Sequence, residues 1–248
     1  PRSALAPAPL LLEELEEIVL FNAVPDVTIV PPNDAVFLGD TFTFDVTFDN
    51  TGTTEGYGPI IDLIIPVTGA DGAGLEADDG IDIVGGATYF GAPVTTIQLT
   101  FDSSGEVDHP FLKDAFGNPL KVLGNPGDKL VVAQLPFGSF TPDQPPITIK
   151  FTAHVSNLAD LGTSLDFKAR GAFMFGADSL DNPTTDPVIL GDTDTDSSLW
   201  SETETITPTL ARITKTNLAD EHETATGPNF IHTYELHVEV AEGQTLTD

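Results

Sequence analysis

From residue 42 to residue 49 apolar and polar side chains alternate without a break. Phe42, Phe44, Val46 and Phe48 fall on one side, Thr43, Asp45, Thr47 and Asp49 on the other. A period of two predicts a strand with one buried and one wet face, and the following Asn50-Thr51-Gly52 predicts the turn that ends it. Similar strands are predicted over residues 26–30, 60–66, 80–85, 94–101, 129–135, 147–156 and 165–175, with Pro and Gly between them. Twenty prolines and 22 glycines suit that many turns. Short, regularly spaced strands with no helix among them predict an all-β fold, an Ig-like antiparallel β-sandwich.

The period differs at both ends of the chain. Leu11, Leu12, Leu15, Ile18 and Val19 recur at helical spacing, with Glu13, Glu14, Glu16 and Glu17 on the other face, which predicts a short N-terminal amphipathic helix after a Pro/Ala lead-in. From about residue 208 the strand pattern restarts: Tyr234, Leu236, Val238 and Val240 repeat the logic of Phe44, Val46 and Phe48. The expected organisation is therefore a lead-in and helix over 1–24, a large sandwich over 25–207, and the first strands of a second sandwich over 208–248. Forty residues cannot close a sandwich. That segment is expected either to belong to a longer protein or to complete its sheet in a neighbouring molecule by strand addition.

Composition narrows the function classes. With 40% hydrophobic residues, including 16 Phe, the chain has the material for a substantial core. Thirty-nine acids against nine bases leave a formal charge of −30, which repels nucleic acid and anionic membrane and attracts cations. No apolar run is long enough to insert into a membrane. Cysteine is absent, so disulfides and thiolate metal sites are excluded, and no Asn-x-Ser/Thr sequon occurs.

Several stretches carry a family resemblance. "GDTFTFDVTFDNTG" with "YGPIIDLIIP", and "ITKTN" followed by "HTYELHVEVAEGQTLTD", resemble the conserved-repeat domains of giant bacterial cell-surface proteins, known as domain of unknown function eleven. The stretch from "LPFGSFTPDQPPITIKF" to "GADSLDNP" is similar to the later strands of such proteins, and the likeness extends over most of the chain from residue 26. "LEELEEIVLFNA" resembles the leader before the first module of some giant adhesins but lacks its internal Pro-Arg pair. The resemblance implies a secreted, extracellular Ig-like module strung into a stalk, sheath or adhesin, and names no ligand.

No residue set reads as an active site, so the expected function is non-enzymatic. His109, His154, His222, His232 and His237 are scattered, and the last two, five apart on a strand, face opposite sides. There is no nucleophile elbow or phosphate-binding Gly loop. Calcium is the cofactor to weigh, because carboxylate-rich loops supply the oxygens that a hard cation takes. "GDTDTDSSLWSE" sets Asp192, Asp194 and Asp196 at the one-three-five spacing of an EF-hand loop, with Glu202 following. Ser197 and Thr203 at the sixth and twelfth positions break that motif, so a partner loop would be needed to wrap an ion. Other acidic clusters include Asp71, Glu76, Asp78, Asp79 and Asp82, then Asp102, Glu106 and Asp108, and Asp178, Asp181 and Asp186.

A third chemistry comes from related surface modules, in which a buried acid assists a Lys–Asn amide crosslink. Lys215 would be the amine, Glu235 the acid, and the acceptor Asn would lie beyond Asp248; Glu235, out of phase with Tyr234 and Leu236, is expected to face water. Two functions are thus expected to compete. One is a structural module of a cell-surface protein, stiffened by calcium at its acidic junction and joined to neighbouring modules or copies. The other is a module that binds a protein or a glycan, the latter on Trp200, Tyr57 and Tyr89.

Overall fold

The computed structural model describes residues 22–72, 78–114, 116–177, 188–218 and 233–245. The expected helix over residues 11–19 lies outside them, as do Glu76, Asp178, Asp181, Asp186, His222 and His232. The strands are β1 (Pro25–Val30), β2 (Thr41–Asn50), β3 (Gly56–Tyr57), β4 (Pro59–Ile65), β5 (Ile81–Ile83) and β6 (Thr88–Tyr89). There follow β7 (Ala92–Pro93), β8 (Thr95–Thr100), β9 (Glu106–Lys113), β10 (Pro119–Leu123), β11 (Lys129–Gln134) and β12 (Ser139–Phe140). The last are β13 (Ile147–Val155), β14 (Leu165–Phe173), β15 (Ile189–Leu190), β16 (Glu202–Ile206), β17 (Ala211–Asn217) and β18 (Tyr234–Val240).

Two antiparallel sheets make the sandwich. The first runs β1-β2-β13-β6-β7, with β5 also on β13; the second runs β15-β14-β4-β11-β8, with β16 also on β14. The alternation in β2 puts Phe44, Val46 and Phe48 between the sheets, where they meet Ile61, Leu63 and Ile65 of β4 and Phe167 and Phe173 of β14. Phe48 lies edge-on to Phe140 at 5.4 Å and to Phe173 at 5.6 Å. Gly171 lets β1 and β2 close over β14: a Cβ there would stand 3.1 Å from Phe48, Pro25 and Val27.

A third layer covers the second sheet. β9 and β10 pair with each other and pack on its outer face, so Leu112 and Val122 enclose Ile60, Ile64, Leu130, Val132, Ala172 and Trp200 in a second core. This is why β4 is buried along its whole length rather than alternating. The hairpin was not expected from the sequence: β9 contains Pro110 and polar residues at Asp108 and His109, which hide its period.

Beyond the sandwich, β17 and β18 form a separate two-stranded ladder. Its entry is tied to the β1–β2 connection, where the Leu38 N–H donates to the Thr209 carbonyl and the Thr209 N–H to the Val36 carbonyl, both at about 3 Å. Phe48→Ala should cost about 3–5 kcal/mol, as expected for deleting a fully buried ring; a lower midpoint in urea at unchanged slope is the measurement that checks it.

Candidate functional site

A fully buried ionic group lies inside the second core. Asp62 interrupts the apolar run of β4 on the face it shares with Ile60 and Ile64, and Arg170 of β14 stands directly opposite it in the ladder. His109 reaches down from β9. Asp62, His109 and Arg170 are exposed by 0%, 2% and 1%. The Arg170 Nε–H donates to Asp62 Oδ2 at 2.8 Å, and His109 Nε2 lies 2.9 Å from Asp62 Oδ1. The backbone N–H groups of Phe111 and Leu112 donate to His109 Nδ1 at 3.1 and 2.9 Å. An Nδ1 that accepts leaves the ring proton on Nε2, where it donates to Asp62. Both ring nitrogens are therefore engaged by partners within the core.

Arg170 extends the network outward. Its Nη1 donates to the carbonyls of Asp192 and Asp194 at 3.3 and 3.1 Å, and its guanidinium lies 4.5 Å from the Trp200 ring centroid. Trp200 Nε1 donates to the same Asp194 carbonyl at 3.0 Å. Arg170 Nη2 has no hydrogen-bond partner among the described residues. Burial alone would raise the Asp62 carboxyl, but the contacts to His109 and Arg170 outweigh it and hold the group below the usual carboxylate range.

The acidic loop therefore works through its backbone. Its one-three-five spacing builds successive turns in which the N–H groups of Asp194, Asp196 and Ser198 donate to Oδ1 of Asp192, Asp194 and Asp196, at 3.0, 3.4 and 2.9 Å. Asp192 Oδ2 also accepts from the Ser201 N–H at 3.1 Å, and hydrogen bonds from Ser198 lower the Asp196 carboxyl. Glu202 is engaged elsewhere, its Oε1 accepting from the Ile29 N–H on the outer edge of β1 at 2.6 Å. The four residues do not converge on one point.

Among the described residues, the acidic ligand atoms of Asp71, Asp79 and Asp160 come within 4.8 Å of one another, with Asp79 buried and the other two exposed. Of the expected trio Asp78, Asp79 and Asp82, this grouping takes in Asp79; Asp82 instead holds Lys129 Nζ at 2.7 Å through both oxygens. Lys215 pairs with Leu236 and Glu235 with Thr216, so amine and acid point to opposite faces of an exposed ladder, without the apolar burial a crosslink needs.

The expected aromatic platform is not assembled. Trp200 is 3% exposed beneath its own loop, Tyr57 donates its hydroxyl to Glu55 at 2.9 Å, and Tyr89 packs edge-on to Phe137 at 5.4 Å. A polar groove of about 480 Å³ opens beside the loop between Asn125, Asp166, Lys168 and Ser197, and no aromatic side chain lines it. The ionic centre was not foreseen. Its signal was one Asp inside "IIDLIIP" and one Arg among the small and apolar residues that end "LDFKARGAF".

No family model matches the chain, and no curated relative does. Among solved structures, AvmM, which catalyses macrocyclisation in alchivemycin A biosynthesis, is 14% identical with a TM-score of 0.39, over 76% of this chain and 89% of that one. BcpA, the major pilin subunit of Bacillus cereus, is 11% identical at a TM-score of 0.36, over 78% of this chain and 42% of the pilin. A cohesin module from a Clostridium perfringens family 33 glycoside hydrolase is 9% identical at 0.35, over 76% and 98%. The strand pairings described above, rather than these partial likenesses, establish the all-β sandwich.

Asp62→Asn should cost about 3–5 kcal/mol, because it strands a buried guanidinium, whereas Asp194→Ala should cost about 1 kcal/mol, since it removes one turn contact of 3.4 Å while the carbonyl that holds Arg170 remains. Because the Asp62 carboxyl is lowered on folding, its contribution is complete above the unfolded value of about 3.9 and is lost as pH falls through the lower folded value. The stability gap between wild type and Asp62→Asn, measured by denaturation at a series of pH values, should stay level at neutral pH and close only below about pH 4.

Proposed function

We propose that the chain is a non-enzymatic structural module of a secreted bacterial cell-surface protein, acting as a segment of a stalk, filament or adhesin in series with like modules. The observation that carries this reading is the way the charged groups are used. Asp62, His109 and Arg170 bond to one another and fasten a loop, so these three groups serve cohesion between layers. The β17–β18 ladder supports the serial arrangement, because it repeats the antiparallel pairing of β1 with β2. The resemblance to conserved-repeat modules points the same way.

Calcium enters as part of this proposal, at Asp71, Asp79 and Asp160, where a divalent cation would offset the repulsion of three carboxylates. A glycan-binding role is disfavoured by the burial of Trp200.

Two measurements test the proposal. Pulled end to end as a single molecule, the sandwich should rupture in one cooperative step, and gradual extension at low force would argue against a load-bearing role. Calcium should raise the melting temperature, chelator should reverse the rise, and Asp160→Asn should abolish it. An unchanged melting temperature would remove the cation from the proposal and leave the structural role standing.

A further inference from the structure

An edge strand presents unpaired N–H and C=O groups to any extended chain nearby, and proteins normally block it. Among the described residues, every outer strand of the sandwich but one is blocked or very short. The Ile29 N–H of β1 is taken by Glu202, β16 carries Glu202 and Glu204, β5 is three residues long, β15 is two, and β7 is two with Pro93 at its end. The exception is β8. Its six residues, "TTIQLT", contain no charge and no proline, in a chain of formal charge −30, and they pair with β11 through an unbroken register. The Phe101 N–H donates to the Asp128 carbonyl on the β11 side. By alternation the N–H and C=O groups of Thr96, Gln98 and Thr100 point away from the sheet.

The complementary strand lies at the other end of the chain. β17 is bonded on one side to β18, and the Leu218 N–H donates to the Thr233 carbonyl. The same alternation turns the backbone groups of Ile213 and Lys215 outward. β17 holds Arg212, which pairs with Glu239 of β18, and Lys215, which lies over the Tyr234 ring. No acid stands on β17 itself, so among the described residues its outer edge offers an added strand no carboxylate of its own. The ladder's apolar face is also uncovered, with Ile213 exposed by 67%, Leu236 by 63% and Val238 by 50%.

We propose that β17 of one copy adds antiparallel to β8 of a second copy. In such a pair the outward groups meet directly, so Ile213 and Lys215 fall on the same face as Thr96 and Gln98. That face is flanked by the segment from Val84 to Pro93: Gln98 Nε2 donates to the Gly85 carbonyl at 3.3 Å, and the Ala87 N–H to Thr96 Oγ1 at 3.1 Å. The same segment exposes Val84 by 40% and Phe90 by 93%, which gives the uncovered Ile213, Leu236 and Val238 apolar surface to meet. Within one chain the two edges lie on opposite flanks. β17 follows directly from β16, and β14, β4 and β11 intervene between β16 and β8. The contact joins two different surfaces, so repetition gives an open-ended chain of copies. It deepens the serial structural role proposed above and rests on it.

The test uses the full 248-residue chain. Sedimentation velocity over a concentration series, in enough salt to screen the net charge, should show assembly beyond the dimer. Gln98→Pro and Lys215→Pro each remove one outward N–H and no ladder bond, so each alone should raise the concentration for half-assembly by about tenfold or more while far-UV circular dichroism stays unchanged. Mixed together, the two variants should form dimers and stop there, since each retains one good edge. Should Gln98→Pro lower the melting temperature, Gln98→Lys, which keeps every backbone bond, is read in its place. A wild type that stays monomeric overturns the proposal, as does assembly that survives Gln98→Pro. Loss in Lys215→Pro but not in the Gln98 variants also overturns it, in favour of ladder-to-ladder pairing. None of these results bears on the single-step mechanical rupture that tests the structural role itself.

Discussion

A carboxylate and a guanidinium buried side by side constrain this structure more than any other contact. Asp62 and Arg170 occupy facing positions on adjacent strands and are both fully enclosed. Enclosing two charges is costly unless their remaining hydrogen-bonding capacity is met. The rest of the second core can be understood as that provision: a hairpin brings His109 to one carboxylate oxygen, and a loop brings two carbonyls and an indole to the guanidinium. Without the pair, the outer face of the second sheet would need only an apolar cover, and nothing would fix where the hairpin and the loop must sit.

The acidic loop illustrates how a carboxylate can act on its own chain. Three aspartates at alternate positions look like ligands, because carboxylates are what hard cations bind. Here they shape the chain by accepting hydrogen bonds from N–H groups two residues on, a habit of Asp in turns. The negative end that meets Arg170 is that of the peptide dipoles of residues 192 and 194, held in place by the turns their side chains make. Carboxylate and carbonyl thus divide the work, one folding the loop and the other neutralising the cation.

The alternation of Phe42 to Asp49 made the sandwich readable from the sequence, and so did the β-branched runs of β11 and β13, because a strand with one buried face writes its period into the residues. The third layer left no such trace. Both faces of β4 are buried, so its sequence carries no period, and β9 trades alternation for a proline and a histidine that bonds its own backbone. The centre was illegible for a related reason. His109 and Arg170 lie 47 and 108 residues from Asp62 along the chain, and each alone is an ordinary residue on a strand. Only the anomaly of a charge inside an apolar run pointed to it. The lysine and glutamate of the suggested crosslink show the converse, since neighbouring strands can hold two residues close in sequence logic while pleating sends them apart.

The protein has a single tryptophan, and the Arg170 guanidinium lies over its ring at the loop that closes the second core. Its emission therefore watches one place. Sheet content and indole fluorescence will follow the same transition only if the loop detaches when the sheets melt; if the latch opens earlier, the two signals will separate, and the fluorescence will date the first step of disassembly.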